Sequence, residues 1–286
     1  MSGAVRSAAL WMTGTLLSFC VMAVAARELS TDIGTFQILF VRSFIGLAVM
    51  ALIVAKQAPG FSLSTQRFKL HAFRNLFHFA GQYGWFLGLG LLPLAEVFAL
   101  EFTVPIWTVF ISALFLKEAL NARKVLAVLL GFSGVCIILN PGSEIVGSYS
   151  IIVLISAFCY AVSHVSTKSL ANTEHTLSVV FYMCLIQLPI GLLLAMSNWV
   201  SPTMVQWVWL CVIALTALTA HCCLTQAMSL AEAGVVVTLD FLRLPAISLL
   251  GVIIYNEPFS VALIVGATLM LLGNFLNLYQ AASTEA

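Results

Sequence analysis

The chain has 286 residues, of which 62% are hydrophobic and 8% charged, and its formal net charge is +1. A soluble domain carries about 25% charged residues, so water is not the main solvent of this chain. The near-neutral balance also excludes a nucleic-acid partner, because no concentrated basic field faces phosphate.

A bilayer-spanning helix needs about 20 mostly apolar residues. Ten such segments follow one another, near residues 9–26, 33–55, 70–90, 95–116, 124–140, 148–168, 176–196, 204–224, 234–255 and 259–279. They predict an all-α integral membrane protein surrounded by lipid, with no soluble domain left over. The first segment lacks a clear small-residue cleavage site and reads as a span, not a removed signal peptide. Ten spans put both termini on one side, and the basic residues decide which side. With cytoplasmic termini, the inner segments hold Arg6, Lys56, Arg67, Lys69, Arg74, Lys117, Arg123, Lys124 and Lys168, and the outer ones hold only Arg27. The expectation is a multi-pass protein of the cell membrane, of the bacterial inner-membrane kind. All seven cysteines (Cys20, Cys136, Cys159, Cys184, Cys211, Cys222 and Cys223) fall inside apolar segments. Cysteine behaves there as a small hydrophobe, and no disulfide is expected.

Polar residues inside the spans come next in chain order. A charge near the bilayer centre costs about 2.5–3.5 kcal/mol on insertion scales, so each calls for a partner and a reason. Arg42 lies near the middle of span two. On span three, Arg74, His78 and Gln82 recur at four-residue spacing and Trp85 follows on the same side, giving one polar face. Arg74 is placed at the cytoplasmic edge, where the charge rule alone accounts for it. Span four carries Glu101, Pro105 and Trp107, and span six Tyr160 and His164. His221 and Gln226 on span eight, like His164, read as structural groups satisfied inside the bundle. Span nine carries Asp240, Arg243 and Pro245; Arg243 follows Asp240 by three residues, within pairing distance on one helix face.

These residues sort into expected roles. A membrane-buried acid takes up a proton unless a cation lies close, so Glu101 and Asp240 are candidate proton carriers. The alternative is a set of structural ion pairs among Arg42, Glu101, Asp240 and Arg243. A planar substrate, stacked and hydrogen-bonded, is assigned to Arg243, Arg42, Trp85, Trp107, Gln82, His78, Tyr83 and Tyr160. The two prolines free the carbonyls of Glu101 and Phe241, and broken helices at matching positions point to a transporter site.

Displacement of the chain by 139 positions brings Phe19-Cys20 onto Phe158-Cys159, Leu100-Glu101-Phe102 onto Leu239-Asp240-Phe241, Glu118 onto Glu257 and Gly134 onto Gly273. Two copies of a five-span unit are implied, over residues 1–145 and 146–286. Because five is odd, the second copy is inverted, and secondary transporters place substrate at the midplane between such repeats. Gly131, Gly134, Gly266 and Gly273 on spans five and ten suit a close helix contact, either across the repeat axis or in a homodimer.

The run Leu92-Pro93-Leu94-Ala95-Glu96, then Phe102-Thr103-Val104-Pro105-Ile106-Trp107, Phe115-Leu116-Lys117-Glu118 and Gly131-Phe132-Ser133-Gly134-Val135, resembles the first EamA repeat of the drug/metabolite transporter superfamily. Ala231-Glu232-Ala233, Leu244-Pro245, Asn256-Glu257-Pro258 and Gly266 are similar to the second. The resemblance implies ten helices, cytoplasmic termini, and movement of a small-molecule substrate such as an amino acid, a nucleotide-like cofactor or a vitamin. Neither a zinc-protease motif nor a nucleophile elbow is present, so no enzyme, metal or cofactor is expected. A channel or scaffold is the other class, but rings of like charge and filter loops are not readable.

Overall fold

A computed structural model describes residues 3–29, 32–57, 63–92, 97, 100–139, 148–255 and 261–284. In chain order the described helices include α1 (Gly3–Leu29), α2 (Thr35–Ala55), α3 (Phe68–Leu91), α4 (Val104–Phe115), α5 (Ala122–Leu139), α6 (Ser148–Ala171), α7 (Thr176–Ala195) and α8 (Met204–Leu230). The ninth span is two helices, α9 (Ala233–Leu239) and α10 (Arg243–Tyr255), joined by a 3-10 turn at Asp240–Leu242. The last is α11 (Val261–Thr284). Among the described residues, five helices are long and apolar enough to cross a membrane on their own, α1, α2 and α8 included. Helix α3 contains Arg74, Asn75, His78 and Gln82, all buried, so its polar face is turned into the bundle. Residues 93–96 and 256–258 of the quoted motifs lie outside the described residues.

Helix pairing follows the repeat. The most extensive contacts join α1 to α8, α5 to α11, α3 to α6 and α2 to α7. Exchange of each span for its counterpart five spans later converts the first pair into the third and leaves the other two unchanged. A pseudo-twofold therefore relates the halves, as inverted repeats require. Each of these contacts joins one repeat to the other.

The contact between α5 and α11 rests on missing side chains. A Cβ on Gly134 would lie 2.6 Å from the Gly266 carbonyl oxygen, and one on Gly273 would lie 2.8 Å from that of Ala127. The glycines are thus used within one chain, across the repeat axis.

Spans four and nine are interrupted at matching places. Leu100 and Glu101 are helical, Phe102 and Thr103 form a turn, and α4 restarts with Pro105 in its first turn. Proline suits that position because the early amides of a helix have no internal acceptor. In span nine, Asp240 opens the turn and Pro245 is the third residue of α10. The prolines thus begin new half-helices instead of kinking continuous ones.

The N-terminal end of the bundle is sealed. Ala8 and Met12 pack with Leu224, Met228 and Val236 in one apolar cluster. Beside it, Lys117 takes a left-handed φ of 58° after α4, turning the chain so that Glu118 reaches across to α9. There the Glu118 carboxylate accepts the backbone N–H groups of Ala233 at 2.7 Å and Gly234 at 3.3 Å. This satisfies amides that a helix start leaves open. Lys124 Nζ joins in at 2.7 Å from Glu232 and 3.8 Å from Glu118.

Gly134→Val is expected to wedge α5 from α11 and to lower stability by about 1–3 kcal/mol, read as earlier thermal unfolding in detergent. Gly3→Ala, which meets nothing within 4 Å, is the control. Equal melting of both variants would contradict the packing described.

Candidate functional site

The two helix breaks bring Glu101 and Asp240 to one guanidinium. Arg243 Nη2 lies 2.5 Å from Glu101 Oε1 and 3.0 Å from Asp240 Oδ2. The far Glu101 oxygen accepts the indole N–H of Trp85 at 2.7 Å. Phe19 and Phe102 cover the guanidinium, with ring centres 5.2 and 5.5 Å from its carbon. Hydrogen bonds donated to two carboxylates, with aromatic rings alongside, are what a buried guanidinium requires. Satisfaction is incomplete, since Asp240 Oδ1 and Arg243 Nε have no partner among the described residues.

This cluster lines a narrow cavity of about 40 Å³. That space holds water-sized groups, whereas pockets for organic molecules span about 300–1,000 Å³, so the walls must part before a metabolite fits. His78, Gln82, Tyr160 and Pro105 also belong to the lining. The cavity therefore assembles Arg243, Glu101, Asp240, Trp85, His78, Gln82, Tyr160 and Pro105 from four spans.

Four expected residues are elsewhere. Arg42 is one layer behind the wall, buried, and donates to Gln82 Oε1 at 3.1 Å and to Gln187 Oε1 at 2.7 Å. Tyr83 stacks on Phe36 at 4.5 Å and belongs to the α2–α3 contact. Trp107 is 42% exposed and meets Phe158 edge-on, because it follows the break by enough residues to point outward. Pro245 is absent from the lining. Arg74 is not at an edge: it is 1% exposed and donates to Thr167 Oγ1 at 3.1 Å and Asn75 Oδ1 at 2.7 Å.

His164 and His221, expected to be satisfied structural groups, both line the cavity, and the Nδ1 of each is buried without a partner among the described residues. His221 stands 4.6 Å from His78, ring centre to ring centre and nearly perpendicular. Gln226 does have a structural bond, to Thr176 at 2.8 Å. Phe19, Met22, Phe86 and Phe102 complete the apolar walls, and no polarity signal marks them. Phe19 and Phe102 do stand in the stretches that recur between repeats, which was the available hint.

The chain matches the model of the EamA-like transporter family twice, over residues 6–140 and 147–279. It is 24% identical to an S-adenosylmethionine uptake transporter of Rickettsia bellii, over 86% of this chain and 84% of that protein. Identity to a riboflavin transporter of Brucella anthropi is 32%, over 74% of this chain and 78% of the relative. A pseudopaline exporter of Pseudomonas aeruginosa is 29% identical over 77% of each chain. A solved crystal structure superposes with a TM-score of 0.81 at 20% identity, covering 98% of this chain and 99% of the other; that likeness speaks to the fold. Two family matches covering nearly the whole chain, on a ten-span helical bundle, make this protein a multi-pass membrane transporter, not an enzyme, and a member of the EamA-like transporter family.

Proposed function

We propose that the protein is a secondary transporter that moves a small organic metabolite of the amino-acid, nucleotide-like cofactor or vitamin class by alternating access, coupled to protons through Glu101 and Asp240. Each half, residues 1–145 and 146–286, supplies one acid, and the termini face the cytoplasm. The relatives named for S-adenosylmethionine, riboflavin and pseudopaline support a small-metabolite cargo.

The observation that carries this reading is the sharing of Arg243 Nη2 between carboxylates from spans four and nine. With both acids ionised the three groups sum to one negative charge, which is costly inside lipid. Uptake of one proton brings the sum to zero and frees one hydrogen bond of the guanidinium. A cargo group then takes the vacated donor while the bond to the other acid persists. Because the two acids belong to different repeats, the choice of which one stays on Arg243 is also a choice of how the halves sit. Trp85 holds Glu101 in place by its indole N–H, and Tyr160, His78 and Gln82 line the same cavity. Arg243 is already engaged, so an anionic cargo group must compete with Glu101 or Asp240. A neutral or cationic group needs only the proton step.

In proteoliposomes loaded with candidate cargos, Glu101→Gln and Asp240→Asn are expected to retain exchange of labelled for unlabelled cargo. Accumulation driven by a pH gradient should collapse to the equilibrium ratio in both. If both variants still concentrate cargo, the coupling assignment is wrong; absence of exchange by the wild type for every cargo that stabilises it would remove the carrier reading itself. Trp85→Phe deletes a hydrogen bond to a charged group and should cost about 1.5–3 kcal/mol, while Trp107→Phe should cost much less. Chemical unfolding of the two variants in micelles compares them, and an equal loss would contradict the placement of Trp107 away from the cluster.

A further inference from the structure

Behind the cavity wall, Arg42 and Arg74 are 3% and 1% exposed and have no carboxylate partner among the described residues. Their acceptors are neutral oxygens. Arg42 Nη2 donates to Gln187 Oε1 at 2.7 Å, and Arg74 Nη1 donates to Asn75 Oδ1 at 2.7 Å. A guanidinium has donors and no acceptor, so both amides can have only one orientation. A flipped amide would set its NH₂ against an arginine N–H.

The consequence passes to His78. With its oxygen held by Arg42, Gln187 must point its NH₂ away, and Nε2 lies 3.2 Å from Asn75 Oδ1 and 2.8 Å from His78 Nδ1. Asn75 Nδ2 in turn donates to the His71 carbonyl at 2.9 Å. His78 Nδ1 therefore faces a donor and must present its lone pair. A ring that accepts at Nδ1 carries its hydrogen on Nε2 and is neutral.

We propose that His78 is locked by this relay as the neutral Nε2–H tautomer, making it a fixed hydrogen-bond donor at the cavity wall and not a proton carrier. Arg42, Arg74, Asn75 and Gln187 are its positioning residues. The groups that face His78 are the two arginines behind it, His221 on α8, and Tyr160 and His164 on α6; Glu101, Asp240 and Arg243 line the same cavity from spans four and nine. His78 Nε2 makes no hydrogen bond to any described residue, so its hydrogen is available to a bound molecule. The matching chemistry is a neutral acceptor, a ring nitrogen or a carbonyl oxygen. The lock itself stands on hydrogen-bond geometry; its use in cargo recognition rests on the transport reading above.

Nitrogen NMR of the full-length protein, labelled at histidine and held in lipid nanodiscs, tests the lock without any cargo. His78 is assigned by the resonances lost in His78→Gln. The expected spectrum shows Nδ1 unprotonated and Nε2 protonated, with no change between about pH 5 and 8, where free histidine titrates. In Gln187→Glu the donor facing Nδ1 becomes an acceptor, and Nδ1 should gain a proton. Should that variant fail to fold, Gln187→Leu removes the donor without adding charge and should leave a mixture of tautomers. A wild-type His78 that is protonated at Nδ1, or that titrates in this range, overturns the proposal. Transport measurements are not involved, so failure of the carrier reading is distinguishable from failure of the lock.

Discussion

A guanidinium buried among transmembrane helices needs compensating charge close at hand, and in this protein it draws that charge from both repeats. Arg243 holds Glu101 from span four and Asp240 from span nine on the same nitrogen. Everything around the cluster serves that arrangement. The helix breaks let two carboxylates approach one centre without a helix between them, and Phe19, Phe102 and Trp85 close the shell. Loss of Arg243 would leave two buried acids without a cation, a penalty of about 3–5 kcal/mol for a broken buried pair. The halves are thus bound together at the same point where the proposed cycle requires them to move.

Two further contacts set limits on that movement. Helices α5 and α11 meet backbone to backbone through Gly134 and Gly273, an interface that tolerates rotation better than separation. At the N-terminal end, Glu118 of the first repeat caps α9 of the second, with Lys124 bridging Glu118 and Glu232. That end is closed in the conformation described. Opening it would break a carboxylate–amide cap and an ion pair, both of which water can replace.

The sequence made the architecture legible because lipid imposes a strict rule: each crossing is a long apolar helix. Ten spans and their repeat followed from that rule, as did the pairing of Asp240 with Arg243, which three-residue spacing dictates. Side-chain direction past a break was harder. Trp107 looked like a cavity residue by proximity to Glu101, but the turn at Phe102 and Thr103 resets the helical phase and sends it outward. Tyr83 was lost to an aromatic contact with Phe36 that one-dimensional spacing cannot show. Buried Arg74 was read as an edge charge because Thr167 and Asn75, which satisfy it, carry no charge themselves. For the same reason Gln187 escaped notice: its importance comes from what two arginines do to its orientation. His164 and His221 were read as satisfied because bundles usually provide partners, and here the cavity is on their open side.

In the proposed cycle, protonation of the acids on Arg243 changes how the two repeats sit against each other. Spin labels at Gln57 and Ala119 report on the N-terminal end, and labels at Leu91 and Ser201 on the opposite end; all four positions are exposed. Pulsed dipolar distances measured in nanodiscs, on acidification and in the Glu101→Gln background, should lengthen for one pair as they shorten for the other. Two distances that stay fixed, or that change in the same sense, would contradict a rocking motion governed by the shared arginine.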